Sequence, residues 1–190
     1  NGFDLAGSSN AVRTIALVPT PTGYRVEFTS SSWTTPSAPD LRLGDDPLRG
    51  PISLSFPFFF PGGNGAQILI ASNGFVWLDG NAVSTDFSPS IDELVAEAPR
   101  LAPLWMDLDP QSGGSVHFDA LGSRIVCTWL DVPEFGQSTA NSVQCELSAS
   151  GRIEFRYRSC SNVNHLTLTG ASPGQGAQRP ANVDLSATLP

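Results

Sequence analysis

The segment Gly170-Ala-Ser172-Pro-Gly174 has the G-x-S-x-G spacing that sets a serine nucleophile on a sharp turn in many hydrolases. That chemistry needs a strand before the serine, a helix after it, and a backbone N–H from the following residue to hold an oxyanion. Pro173 has no N–H, no helical pattern follows, and no histidine lies downstream to act as base. The segment therefore reads as a Gly/Pro turn. His117 and His165 are the two histidines, and His117 alternates with Val116 and Phe118 as a polar strand-face residue. A zinc site takes three or four ligands, and Cys127, Cys145 and Cys160 form no C-x-x-C pair. No catalytic residue is assigned, and the chain reads as a non-enzyme.

The acids carry more chemistry. Asp107 and Asp109 flank Leu108 and would share one face of an extended segment, with Asp119 a third carboxylate nearby in sequence. Hard oxygen ligands of this kind suit Ca²⁺. No known calcium-loop signature surrounds them, however, and Asp109-Pro-Gln-Ser-Gly113 is turn chemistry in which Asp bonds its own backbone. No metal or other cofactor is expected. If calcium bound, Asp107, Asp109 and Asp119 are its candidate ligands, and melting is expected to show no calcium response beyond ionic screening.

Four tryptophans suggest rings that stack on sugars. Trp105 and Trp129 lie in dense apolar runs and are expected in the core with Phe155. Trp33, in a polar Ser/Thr/Pro stretch, is the candidate ligand-contact residue. Cys127 and Cys145 fall on successive strands, and symmetric pairing sets them face to face with Cβ atoms ~4.5–5.5 Å apart, somewhat wider than a disulfide prefers. A cross-strand disulfide and two buried thiols both fit, thiols being favoured, and Cys160 is expected to react fastest.

The elements that would position these residues are strands. The 190 residues suggest one domain. They are 40% apolar but only 15% charged, and 18 Gly with 16 Pro punctuate the chain. That composition argues for short strands and tight turns and against a helical bundle or a doubly wound enzyme. All ten basic residues are Arg against 18 acids, so nucleic acid and anionic membranes are excluded as partners. No apolar run is long enough to span a bilayer. Strands are expected at 12–18, 24–29, 52–60, 67–71, 75–79, 101–107, 115–119, 124–132, 142–149, 152–158 and 166–170. Residues 30–50 read as a long surface loop, Ser72-Asn-Gly74 as a hairpin turn, and 88–97 as the one short helix, capped by Ser88 or Ser90. Ile125, Cys127 and Trp129 share a face, as do Val143, Cys145 and Leu147, then Ile153, Phe155 and Tyr157; Arg152, Glu154, Arg156 and Arg158 form an opposite, solvated face. The fold expected is an all-β antiparallel sandwich, jelly-roll-like, with a tail whose 183–189 stretch adds an edge strand.

The order of several short blocks is distinctive: Ala98-Pro-Arg-Leu-Ala-Pro-Leu-Trp-Met-Asp-Leu-Asp109, Gly113-Gly-Ser-Val-His-Phe118, Thr128-Trp-Leu-Asp-Val-Pro133, Asn141-Ser-Val-Gln-Cys-Glu-Leu147 and Gly151-Arg-Ile-Glu-Phe155, preceded by Ser72-Asn-Gly-Phe75. This succession resembles the nidogen-like extracellular domain and its bacterial relatives. The resemblance covers about residues 50–175, with 1–49 as N-terminal strands and loop and 176–190 as a C-terminal strand or tail of a single domain. It implies a secreted or surface-exposed module that binds or adheres without catalysis, taking a protein or glycan of the cell surface or matrix. Two alternatives stand beside it. One is a self-assembling subunit of an extracellular filament or coat, in which a detachable 1–18 or 183–189 completes a neighbour's sheet; the other is a lectin-like glycan-binding domain.

Overall fold

A computed structural model describes residues 12–179. The elements are β1 (Arg13–Thr20), β2 (Gly23–Ser30), β3 (Leu48–Phe60), β4 (Gly63–Ala71), β5 (Val76–Trp77), α1 (Ile91–Ala96), β6 (Arg100–Trp105), β7 (Ser115–Ala120), β8 (Arg124–Pro133), β9 (Ala140–Ser148), β10 (Ile153–Ser159) and β11 (Leu168–Ser172). They build two antiparallel sheets, ordered β2-β1-β10-β9-β8-β7 and β11-β6-β5-β4-β3. The fold is thus an all-β sandwich with one short helix. No helix among the described residues is long and apolar enough to cross a membrane. The 183–189 strand expectation lies outside the described residues. Of residues 1–18, those from 13 on lie in β1, which pairs with β2 on one side and β10 on the other and so is an interior strand of its sheet; residues 1–11 lie outside the described residues.

The core follows from alternation. Ile125, Cys127 and Trp129, Val143, Cys145 and Leu147, and Ile153, Phe155 and Tyr157 all point inward and are buried against Phe58, Ile68, Ile70 and Leu101 of the other sheet. The polar tips that this burial carries inside are satisfied across the sandwich. Trp129 Nε1 donates to the Ala71 carbonyl at 2.9 Å, and the Tyr157 hydroxyl to the Pro103 carbonyl at 2.9 Å. Trp105 is buried too, but on the opposite face of the five-stranded sheet. There it packs with Leu69, Phe75, Trp77 and Leu94 of α1. That helix, capped by Ser90 through Glu93 N, is a cover for this second cluster.

The outer face of the six-stranded sheet is not the solvated surface expected. Thr29, Thr14, Arg156, Gln144, Thr128 and His117 form one row across all six strands. Residues 31–41, expected as a surface loop, lie along that row as a strap. Ser31 meets Thr14 at 2.7 Å and accepts from Arg156 Nε at 2.8 Å. Thr34 N donates to Gln144 Oε1 at 3.2 Å, and Gln144 Nε2 donates to the Thr34 carbonyl at 2.6 Å. Asp119 accepts from Ser37 N at 2.9 Å and Ala38 N at 2.8 Å, and Leu41 N donates to the Val116 carbonyl at 2.7 Å. A backbone laid on a sheet face cannot use the ladder, so side chains must satisfy it. Arg156, Gln144, Thr128 and Asp119 are accordingly buried.

Candidate functional site

Five loops, residues 43–47, 72–75, 106–114, 134–139 and 160–167, meet at one end of the sandwich. The β4–β5 turn organises them. Gly74 has φ +75° and its missing Cβ would collide with the Leu104 carbonyl, so the chain passes there only as glycine. Asn73 does not share the left-handed conformation expected of an Asn-Gly pair. It is buried, and its side chain accepts from Leu108 N at 2.9 Å and donates to Asp46 Oδ1 at 2.9 Å and the Thr85 carbonyl at 3.0 Å. Leu108 and Glu134 form an isolated antiparallel bridge, which ties the 106–114 loop to the 134–139 loop.

Glu134 is the anchor of the end. It is fully buried and accepts from the backbone N–H of Val163 at 2.6 Å, Asn164 at 2.7 Å and His165 at 2.7 Å, with His165 Nδ1 at 2.8 Å. Burial alone would raise its pKa. The three backbone bonds and the imidazole outweigh burial and hold the carboxyl below its ordinary range. The loop so fixed displays Val163 and Leu166, 56% and 77% exposed, beside Phe135, 45% exposed, whose ring meets His165 edge-on at 6.5 Å.

His165 also links this loop to a cluster of carboxylates, its Nε2 lying 3.6 Å from Asp107 Oδ2. Carboxylate oxygens of Asp45, Asp46 and Asp107 lie within 4.8 Å of one another, a set that could hold a hard cation. Burial and then the neighbouring carboxylates raise the pKa of Asp45, whose Oδ1 is buried without a hydrogen bond. Asp107 is likewise raised, by burial foremost and by Asp46, Asp45 and Asp109, while His165, with Nε2 3.6 Å away, pulls it down.

The candidate ligands Asp107, Asp109 and Asp119 do not converge as one set. Asp109 caps its turn, accepting from Gln111 N at 2.9 Å and Ser112 N at 3.2 Å, as turn chemistry predicts. Asp119 holds the strap, and its carboxyl sits below its ordinary range because the Ser37 and Ala38 bonds outweigh burial. β6 ends at Trp105, so Asp107 and Asp109 are loop residues and not neighbours on a strand face. Trp33 is half-buried in the strap with the Arg158 guanidinium 5.9 Å from its ring centre, away from the loop cluster's contacts. His117 is a strap anchor, contacting the Ala38 carbonyl at 2.9 Å. Ser172 Oγ accepts from Gly174 N at 3.0 Å, the turn its sequence indicated. Cys127 faces Cys145 in the β8–β9 ladder, and all three cysteines are free thiols. Burial lifts the Cys127 and Cys145 thiols far above their ordinary value and Cys160 to about 12.

Sequence reasoning missed Asp45, Asp46, Asn73 and Glu134. The pair Asp45-Asp46 between Gly44 and Pro47 was a visible signal, but its approach to Asp107 is a tertiary fact. No curated protein and no solved structure matches the chain. A model described as NIDO related matches residues 23–188, spanning both sheets and every loop of this end of the sandwich, and the chain belongs to the NIDO-related family.

Proposed function

We propose that this domain is a non-catalytic binding or adhesion module of a secreted or surface-exposed protein, and that its partner is a protein or glycan of the cell surface or matrix. The observation that carries the reading is the Glu134 clamp. A buried carboxylate spends its acceptors on three consecutive backbone N–H groups and so fixes a loop whose tips are apolar and exposed. Function concentrates on loops held by a rigid scaffold, and preordering them lowers the entropy cost of binding. The chemically able side chains nearby serve as supports: Asp109 in its turn, His117 and Asp119 under the strap. The membership of the chain in a nidogen-like family supports an extracellular setting.

The test is binding of the labelled domain to intact cells, to matrix coatings and to a glycan array, beside a Phe135→Ser/Leu166→Ser variant. Loss of binding in the variant with unchanged melting is the expected result. Wild-type binding that survives the double substitution would move the contact surface elsewhere, and no binding to any of the three would overturn the reading.

A further inference from the structure

Among the described residues the sandwich leaves four strand edges, and three of them are protected. An open edge offers unpaired N–H and C=O groups to another chain, and proteins blunt it with covers, prolines and bulges. At β7, Leu41 N bonds the Val116 carbonyl, and Asp40 Oδ1 accepts from Val116 N at 3.1 Å, so the strap's end covers that edge. β3 carries Pro51 and Pro57 and two breaks in register. β11 has five residues and a break in register between Leu168 and Gly170. Among the described residues β2 has none of these devices. It runs eight residues from Gly23 to Ser30 without proline, its pairing to β1 is unbroken, and no described strand pairs with its outer side.

The residues along this edge are complementary to themselves. Around Val26 the sequence reads Tyr24-Arg25-Val26-Glu27-Phe28. In an antiparallel pairing centred on Val26, each Arg25 lies opposite the other chain's Glu27, each Tyr24 opposite a Phe28, and Val26 opposite itself. Val26 is 44% exposed, an apolar side chain left open on the edge. Arg25 and Glu27 stand on the outer face, bonded to each other at 2.6 Å in the single chain, and the two copies can trade their two intrachain contacts for two cross-strand ones. A two-fold pairing is the simplest assembly a self-complementary patch can build.

We propose that β2 is a homodimer interface, joining two copies edge to edge into one continuous twelve-stranded sheet centred on Val26. This goes beyond the binding reading above and does not depend on it, since the loops of that site belong to other elements.

The experiment is sedimentation velocity on the full chain over a range of concentrations, with Arg25→Glu, Glu27→Arg, the double exchange, and an equimolar mixture of the two single variants. The wild type is expected to reach twice the 20.1 kDa chain mass. Each single variant sets like charges opposite each other twice, and its dimer dissociation constant is expected to rise about tenfold. The double exchange restores the charge pattern and should restore the dimer. In the mixture, every Glu again meets an Arg across the pair, so heterodimers should form where neither variant self-associates. Unchanged melting of the singles shows that the loss is not unfolding. A wild type that stays monomeric, or association indifferent to both charge reversals, as pairing through residues 1–11 or 180–190 would give, overturns the proposal.

Discussion

The Arg100 guanidinium lies 3.9 Å from the ring centre of Trp105, on the far side of the five-stranded sheet from the main core. A second indole, Trp77, lies 3.8 Å from the same guanidinium, and the ring of Phe75 lies 4.8 Å away. Arg100 is fully buried and ion-paired to Glu97, and its Nε and Nη1 have no hydrogen-bond partner. Burial lowers its pKa to about 10 against the pull of Glu97, Asp86 and Glu93, and it stays charged at neutral pH. The aromatic faces do the work that water or a second carboxylate would otherwise do.

Trp105→Ala is therefore expected to cost about 3–5 kcal/mol, from the lost indole and the exposed guanidinium together. Arg100→Lys keeps the charge but loses the flat stacking surface, an expected loss of about 1–2 kcal/mol. Urea midpoints of the two singles and the double should be strongly non-additive. Additive losses would show that cation and ring are merely adjacent.

The Cys127–Cys145 pair gives a second outcome. The residues are direct partners in the β8–β9 ladder and both are buried as thiols. Alkylation without reductant should show three free thiols by intact mass after unfolding. In the native protein Cys160, the only one not fully buried, should label first, and slowly because its thiol is lifted to about 12. Rapid native labelling of Cys127 or Cys145 would contradict their burial.

Two glutamates predict opposite responses to pH. Glu134 is held below its ordinary pKa, so its contribution to stability is present above that ordinary value and lost as pH falls through the folded one. Glu134→Gln should cost about 1–3 kcal/mol near neutrality. The gap to wild type should close in acid. Glu93 is raised to about 7 by its hydrogen bond with Asp86 and by burial. Its contribution is full below 4.5, the ordinary value, and is lost as pH rises through 7. Glu93→Gln should thus narrow the loss of stability from mildly acid to neutral pH and melt above wild type in mild alkali. Thermal melts of both variants from about pH 2 to 8 check the signs.

In the Asp45–Asp46–Asp107 cluster, Asp45→Asn removes one of three crowded charges and gives the buried Oδ1 position an amide neighbour. In chelator-treated buffer the variant is expected to gain up to about 1 kcal/mol, the scale of partly exposed charge contacts. The gain should vanish in acid, where the wild-type carboxyl is protonated. A variant less stable than wild type at neutral pH in chelator would mean that Asp45 makes a favourable contact there.

The strands were legible because burial and alternation coincide on them: Ile125, Cys127 and Trp129 face inward where the period of two says they should. Cys127 does face Cys145, but the β8–β9 register was not legible to the residue: equal steps from the Pro133–Ala140 pair would set Cys127 against Glu146, and a break in register between Trp129 and Val132 moves it by one. The strap was not legible either. Thr128, Gln144 and Arg156 look like solvent-facing polar residues by the same alternation, and nothing local distinguishes a polar face that meets water from one that meets the protein's own backbone. The end cluster was hidden for a related reason. Asp45, Asp107 and Glu134 come from three loops far apart in sequence, and turn chemistry explains where each loop bends but not which loops meet.

The strap also changes how the sheet can come apart. A strand at a sheet's rim ordinarily frays by itself, but here residues 31–41 leave β2, touch Thr14, Arg156, Gln144 and Asp119 in turn, and finish alongside β7. They act as a belt buckled at both margins. Peeling β7 away pulls on Leu41 and Ser37, and the load passes across the sheet to the base of β2. Neither margin can open alone, so the six strands yield together or hold together, a mechanical unity imposed by eleven residues that belong to no strand.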